Sequence, residues 1–208
     1  MRKTKVSQFL GCGLLLSTSC LAQEPKTRSA PIDTAVMEAL QQSGSAAGIE
    51  VNLGCGDVPQ VRYQITTGDP EMSLQNIHRA DKMTLSWSKK PRSAYRVLID
   101  EKPFSSQLPS ITVPERVIEA ASLNYAVDVL LHDPLVRSQL TKYHFEELPT
   151  QLGFTSILEG KNRSITIPAG PLDDALDAIA QSFGPAVWEI TERTCGGRKT
   201  FRVDWVVR

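Results

Sequence analysis

The chain is poor in groups that do chemistry. Its 208 residues include three histidines and four cysteines, too few for a histidine-rich metal centre or a disulfide-dense scaffold. It has no excess of charge: 23 Lys and Arg stand against 23 Asp and Glu. That balance excludes the basic footprint of a dedicated nucleic-acid binder and the acidic excess of a disordered, solvating chain. No apolar run approaches the ~20 residues that a membrane span needs. No G-x-G-x-x-G, P-loop, H-E-x-x-H or G-x-S-x-G occurs, so the common dinucleotide, phosphate, zinc-protease and serine-hydrolase signatures are missing. The expectation is a non-enzymatic protein without cofactor, metal site or nucleic-acid partner. A chain of this length can bury roughly 70% of its unfolded surface, so its core needs no staples.

The first residues have a character of their own. Arg2, Lys3 and Lys5 precede a mostly apolar run over residues 6–16, the layout of a secretory signal peptide over residues 1–22. Two processing sites compete. Cleavage after Ala22 leaves Gln23 first, whereas cleavage before Cys20 makes that cysteine the lipidated first residue of a bacterial lipoprotein, although Ser17 stands where that motif wants Leu. Both imply export, to the periplasm or to an outer-membrane lipid anchor, and residues 23–31 read as a flexible leader. Removing three basic residues leaves 20 against 23, a formal charge of −3. Cys55 and Cys195 are then the remaining thiols; both sit in Gly-rich turns after expected strands, and in an oxidising compartment they most simply form one disulfide.

Periodicity divides the rest into two stretches. In residues 32–100, Val36, Ala39 and Leu40 have helical spacing, and residues 49–53 and 61–65 alternate as strands. Asp69-Pro70-Glu71 opens a helix to about residue 80, and strands at 83–87 and 95–99 follow. Residues 101–110, with two prolines and several serines, read as a linker. In residues 111–208 the pattern suggests a strand at 111–113, a helix at 114–122, a strand at 126–131, and strands at 154–158 and 165–167. The strongest helix follows, with Leu172, Ala175, Leu176, Ile179, Ala180 and Phe183 on one face, and then a terminal hairpin across 191–200. The fold class is α+β, small mixed sheets packed on helices, with two tandem βαββαβ modules as one arrangement and a single larger domain as the other.

The run Ile165-Thr166-Ile167-Pro168-Ala169, followed by Leu172, Ala175, Leu176, Ile179, Ala180 and Gly184, resembles the N-terminal short domain of secretins and TonB-dependent receptors. Residues 124–136 resemble that family's strand and Asp-Pro segment. The resemblance implies a periplasmic α+β module that makes protein–protein contacts in an envelope machine, a secretin among the expected partners, and it carries no catalytic residues. The last strand, with Phe201, Val203, Trp205 and Val207 facing one way, is the expected interaction edge. Other polar features have plainer readings. His132-Asp133 resembles a base and its orienter but also a capped Asp-Pro turn; His144, Glu146 and Glu147 lack a third metal ligand; Trp87, Trp188 and Trp205 suit sheet packing. The expected function is an exported interaction component of a secretion, pilus or conjugation system. The alternative is a periplasmic small-ligand binding or inhibitor protein, its pocket or loop within residues 132–160.

Overall fold

Alternation and capping account for most of the elements in a computed structural model, which describes residues 26–41, 46–78, 82–90, 95–101, 106–149, 162–184 and 186–207. The first stretch contains β1 (Arg28–Pro31), α1 (Ile32–Gln41), β2 (Ala47–Leu53), β3 (Gln60–Tyr63), α2 (Pro70–Gln75), β4 (Met83–Ser88) and β5 (Tyr95–Glu101). Asp69 caps α2 by accepting from the Met72 amide at 2.9 Å, and Pro70 holds the first helical position, where its missing N–H costs nothing. β1 lies antiparallel to β3, so the last four residues of the expected leader are a strand. They add a backbone partner for Val61 and Tyr63, both buried.

The second stretch contains β6 (Thr112–Val113), β7 (Arg116–Ala121), α3 (Leu123–Leu131), α4 (Pro134–Lys142), β8 (Phe145–Glu147), β9 (Arg163–Ile167), β10 (Gly170–Pro171), α5 (Leu172–Phe183), β11 (Ala186–Cys195) and β12 (Arg198–Val207). Here two expectations are reversed: residues 116–121 are a strand and 123–131 a helix. The helix was visible in the spacing of Leu123, Ala126, Val127, Leu130 and Leu131, all buried, with Ser122 accepting from the Tyr125 amide at 3.3 Å. The strand was obscured by an irregularity between Ile118 and Ala121, where Ala120 takes φ 49°. The terminal hairpin is longer than expected because its loop is only Gly196-Gly197, at φ 58° and 81°, the left-handed pair that a tight two-residue hairpin requires. The expected strand at 154–158 lies outside the described residues. The expected linker is anchored at its far end, where Leu108 is fully buried.

One six-stranded sheet runs through both stretches in the order β4-β5-β2-β11-β12-β8. Three strands come from each, and the two triplets meet where β2 and β11 pair in parallel over seven residues, Val187 beside Ala47 through Arg193 beside Leu53. The halves share a plan. In the first, β1 pairs with β3 and the triplet order is β4-β5-β2; in the second, β7 pairs with β9 and the order is β11-β12-β8. Within each triplet a hairpin is followed by a parallel partner, β5 with β2 and β12 with β8. The likeness extends to residues: Ile65, Gly68, Glu71, Leu74 and Ile77 have the spacing of Ile167, Gly170, Asp173, Leu176 and Ile179, and Tyr95-Arg96-Val97 answers Phe201-Arg202-Val203. The segment α4 and the β6–β10 pair are additions to the second half.

The two triplets are related by a half-turn about an axis across the strands. Strands β5, β2 and β11 run one way, and β4, β12 and β8 the other. Each apolar core accordingly lies on the opposite face. Ala47, Ile49, Val51, Val97 and Ile99 pack with α1 in one cluster, and Trp188, Ile190, Phe201 and Val203 pack with α5 in the other. At the seam Gly48 faces Trp188, and a Cβ at residue 48 would lie 2.2 Å from the indole. Gly48→Ala should therefore cost about 1–3 kcal/mol of stability, the usual range for overpacking, seen as a lower urea midpoint; an unchanged midpoint would show that the seam yields.

Candidate functional site at the seam

The row Arg96, Gly48, Trp188 crosses from β5 through β2 to β11. Because residue 48 carries no side chain, the Arg96 guanidinium reaches over it and stacks on the Trp188 ring, 4.5 Å from its centroid. The same guanidinium donates from Nη1 to Glu50 Oε1 at 3.2 Å and to Asp173, and from Nη2 to Asp177 Oδ2 at 2.6 Å. Asp177 uses its other oxygen to accept from Trp188 Nε1 at 2.7 Å, so one carboxylate fixes both members of the stack. Lys90 adds a second cation at 3.1 Å from Asp173 and 3.6 Å from Asp174.

The geometry follows from local sequence. Asp173 and Asp177 are four apart on α5, hence on one helix face, and Asp173 in the first turn also complements the helix dipole. Glu50 and Arg96 occupy polar positions of β2 and β5 that point away from the first core. Arg96 is 7% exposed and Asp177 5%, which makes this a buried cluster of two cations and three inner carboxylates. Burial pushes the Glu50 carboxyl above its ordinary value, and the neighbouring Arg96 offsets part of that rise. For Arg96 burial opposes the charge, but Asp177, Asp173 and Glu50 outweigh it and raise its pKa.

The expected disulfide is present between Cys55 and Cys195, with Cα atoms 4.7 Å apart and 140 residues of separation. It ties the ends of β2 and β11, so the covalent bond reinforces the strand pair that the ion cluster supports from the other end. Closing so long a loop is worth about 4–5 kcal/mol by chain entropy. Arg193 Nη1 donates to the Gly56 carbonyl at 2.8 Å beside it, and Glu101 accepts from the Gly54 amide at 2.6 Å.

Other expected site residues are dispersed. Cys20 and the whole of residues 1–22 lie outside the described residues. The expected edge strand, β12, pairs with β11 along its length; on its other edge the described pairing is with β8 over Lys199–Phe201, so Val203, Trp205 and Val207 lie beyond β8. Phe201 and Val203 belong to the core, Trp205 packs partly buried against it, and Val207 pairs with Ala186. Among the described residues the order of the sheet ends on β4 and β8. Asp133 caps α4 and pairs with Arg116, so it does not orient His132, whose Nδ1 lies 3.0 Å from the Asp128 carbonyl. His132, Arg137, Phe145, Glu146, Glu147, Leu148 and Pro149 line an open depression of about 490 Å³. Three of its charges are already matched, Arg137 with Glu147 at 3.3 Å and Glu146 with Arg198 at 2.5 Å. No group of three or more His, Cys, Asp or Glu among the described residues could hold a metal ion, and no described helix is long and apolar enough to cross a membrane.

Sequence reasoning did not single out Arg96, Glu50, Gly48 or Asp177 as a group. The available signal was charge inside otherwise apolar strands, together with two acids four apart on the most amphipathic helix. Glu189 carries the same signal. It is buried on the other face of β11, where Thr191 Oγ1 donates to it at 2.8 Å. Burial, and then the charge of Asp33, push its carboxyl up to about 7. Comparison of the chain with family models, curated proteins and solved structures finds no match in any of the three.

Two outcomes follow from these environments. Arg96→Met keeps the stack's bulk but leaves Glu50 and Asp177 without their cation and Asp173 with Lys90 alone, and should lower stability by about 3–5 kcal/mol in urea unfolding; a loss under 1 kcal/mol would mean that the cluster is not structural. Because Glu189 binds its proton more tightly in the folded chain, stability should fall as pH rises from 4.5 to about 7 and level off above. The whole effect is on the order of 3 kcal/mol. Glu189→Gln should flatten that slope in pH-dependent unfolding.

Proposed function

We propose that the chain is an exported, non-enzymatic protein–protein interaction component of a bacterial envelope assembly, such as secretin-linked secretion, a pilus or a conjugation system. The observation that carries this reading is the seam. Two copies of one β-α-β-β-α-β-β plan recognise each other inside the molecule by strand addition, with main-chain pairing between β2 and β11 and charge matching from Arg96 to α5. A module that associates edge to edge within a chain has the means to do so with other proteins. The basic and apolar start of the sequence supports export, as does a disulfide, which persists in oxidising compartments. The likeness of residues 165–184 to the secretin and TonB-receptor short domain supports an envelope machine as the setting. A small-ligand or inhibitor role is the second reading, favoured by the open depression around His132, Arg137 and Phe145.

Affinity capture from solubilised envelopes of the source cell distinguishes these readings. Recovery of the chain within a multimeric membrane complex, a secretin among its members, is the expected outcome. Recovery of monomer alone would refute the assembly role, and recovery of one soluble enzyme or a small molecule would favour the second. Radioactive palmitate incorporated by the natural chain and lost in Cys20→Ala would establish the lipid anchor.

A further inference from the structure

The half-turn that relates the two triplets does not close on itself. β2 of the first triplet meets β11 of the second, which among the described residues leaves β4, the counterpart of β11, at one end of the sheet, and β8, the counterpart of β2, at the other. Such a head-to-tail contact is heterologous and can be repeated. We propose that a second copy of this chain continues the sheet, its β8 lying parallel to β4 as β2 lies parallel to β11. The inference deepens the interaction role proposed above, on which it rests, by naming the partner.

Three observations support that occupant. The directions agree: β4 and β8 run the same way in the sheet, and two applications of the half-turn restore the original orientation, so β8 of one copy meets β4 of the next in parallel. The charges also agree. Arg202 on β12 occupies the place of Arg96 on β5, and Glu71 on α2 occupies the place of Asp173 on α5. Arg202 faces away from its own core, where Asp204 is its neighbour, and Glu71 is exposed. In the continued sheet Arg202 of one copy faces Glu71 of the next, as Arg96 faces Asp173 within the chain. Finally, each end exposes a large apolar side chain, Met72 at 44% beside Glu71 and Leu148 at 37% just after β8. Leu148 lies on the same sheet face as Arg202, so the join covers both.

A head-to-tail contact has two different ends, and this gives a distinctive test. Sedimentation velocity of the exported chain over a wide concentration range should show masses rising beyond the dimer. Glu71→Arg and Leu148→Arg, each alone, should weaken association at least ten-fold, whereas an equimolar mixture of the two should form dimers and stop there, because each variant retains one working end and the two altered ends, both positive, repel each other. If Leu148→Arg does not fold, Arg202→Gln at the same end takes its place. A chain that stays monomeric at all concentrations, or association that Glu71→Arg weakens and neither variant of the other end does, overturns the proposal. Self-association without capture of any envelope complex would retain this inference and remove the assembly role, and capture by a chain that never self-associates would do the reverse.

Discussion

The stack of Arg96 on Trp188 across Gly48 is the constraint on which the rest of the molecule depends. Each half has its own apolar cluster, and the clusters lie on opposite faces of the shared sheet and share little: Val187 of β11 joins the first, and Ala46 packs against the second. The rest of what crosses the boundary is chiefly a strand pair, a disulfide and this cluster. Strand pairing alone is weakly specific, because a slip preserves many hydrogen bonds. The cluster sets the register: only when Gly48 faces Trp188 does the guanidinium have space to reach Asp173 and Asp177. The disulfide pins the other end of the same strand pair. Register is therefore specified twice, once by polar chemistry and once covalently.

Buried ion clusters are poor sources of net stability, since desolvation offsets much of the attraction. Their use here is one of direction. A wholly apolar seam would bring the two triplets together as strongly but would accept several offsets and either face. Four carboxylates, those of Glu50, Asp173, Asp174 and Asp177, converging on one guanidinium and one ammonium accept a single arrangement. Among the described residues, the opposite face of β11 has no comparable cation for Glu189. Its nearest supports are Thr191 and, more weakly, Arg202, while Asp33 and Asp204 oppose its charge. The central strand thus carries two buried carboxylates, one on each side: Glu189, and Glu192, which Ser106 helps to hold.

Legibility in the sequence followed the kind of signal each element carries. Helix α5, strands β2, β4, β5, β9 and β12, and the Cys55–Cys195 bridge were readable because each rests on a local pattern: periodicity, alternation or an isolated pair of thiols. Residues 116–131 were not, because Val117 and Ile118 before Ser122 look as helical as Leu123 and Ala126 after it, and only the cap decides where the helix starts. The repeat is legible as an order of elements and not as matching residues. The similar runs Val36-Met37-Glu38-Ala39 and Val117-Ile118-Glu119-Ala120 mislead, the first lying in α1 and the second in strand β7. The true correspondence, Gly68 with Gly170 and Leu74 with Leu176, sits in the turn-plus-helix of each half, where the glycines share positive φ, 78° and 150°. The candidate site was not legible as a site at all, since Arg96, Glu50 and Asp177 are distant in sequence and each alone reads as a solvated charge.

The flipped repeat explains why that site had to be polar. In a sheet whose two halves bury opposite faces, every strand near the boundary has one side facing its own core and the other facing the neighbour's helix. Residues on the second side cannot be freely solvated, yet they lie over a helix whose apolar stripe is already occupied by its own sheet. Helix α5 packs Leu172, Leu176 and Ile179 into the second core. What it can offer to the first half is its flank, and a helix flank is ordinarily polar. Asp173 and Asp177 are that flank, and a strand facing them must carry their counter-charge. The position of Arg96, an arginine between Tyr95 and Val97 in a strand buried on both faces, is thus a consequence of turning the second module over. An unflipped tandem repeat would have placed helix against helix on one face and required an apolar residue there instead.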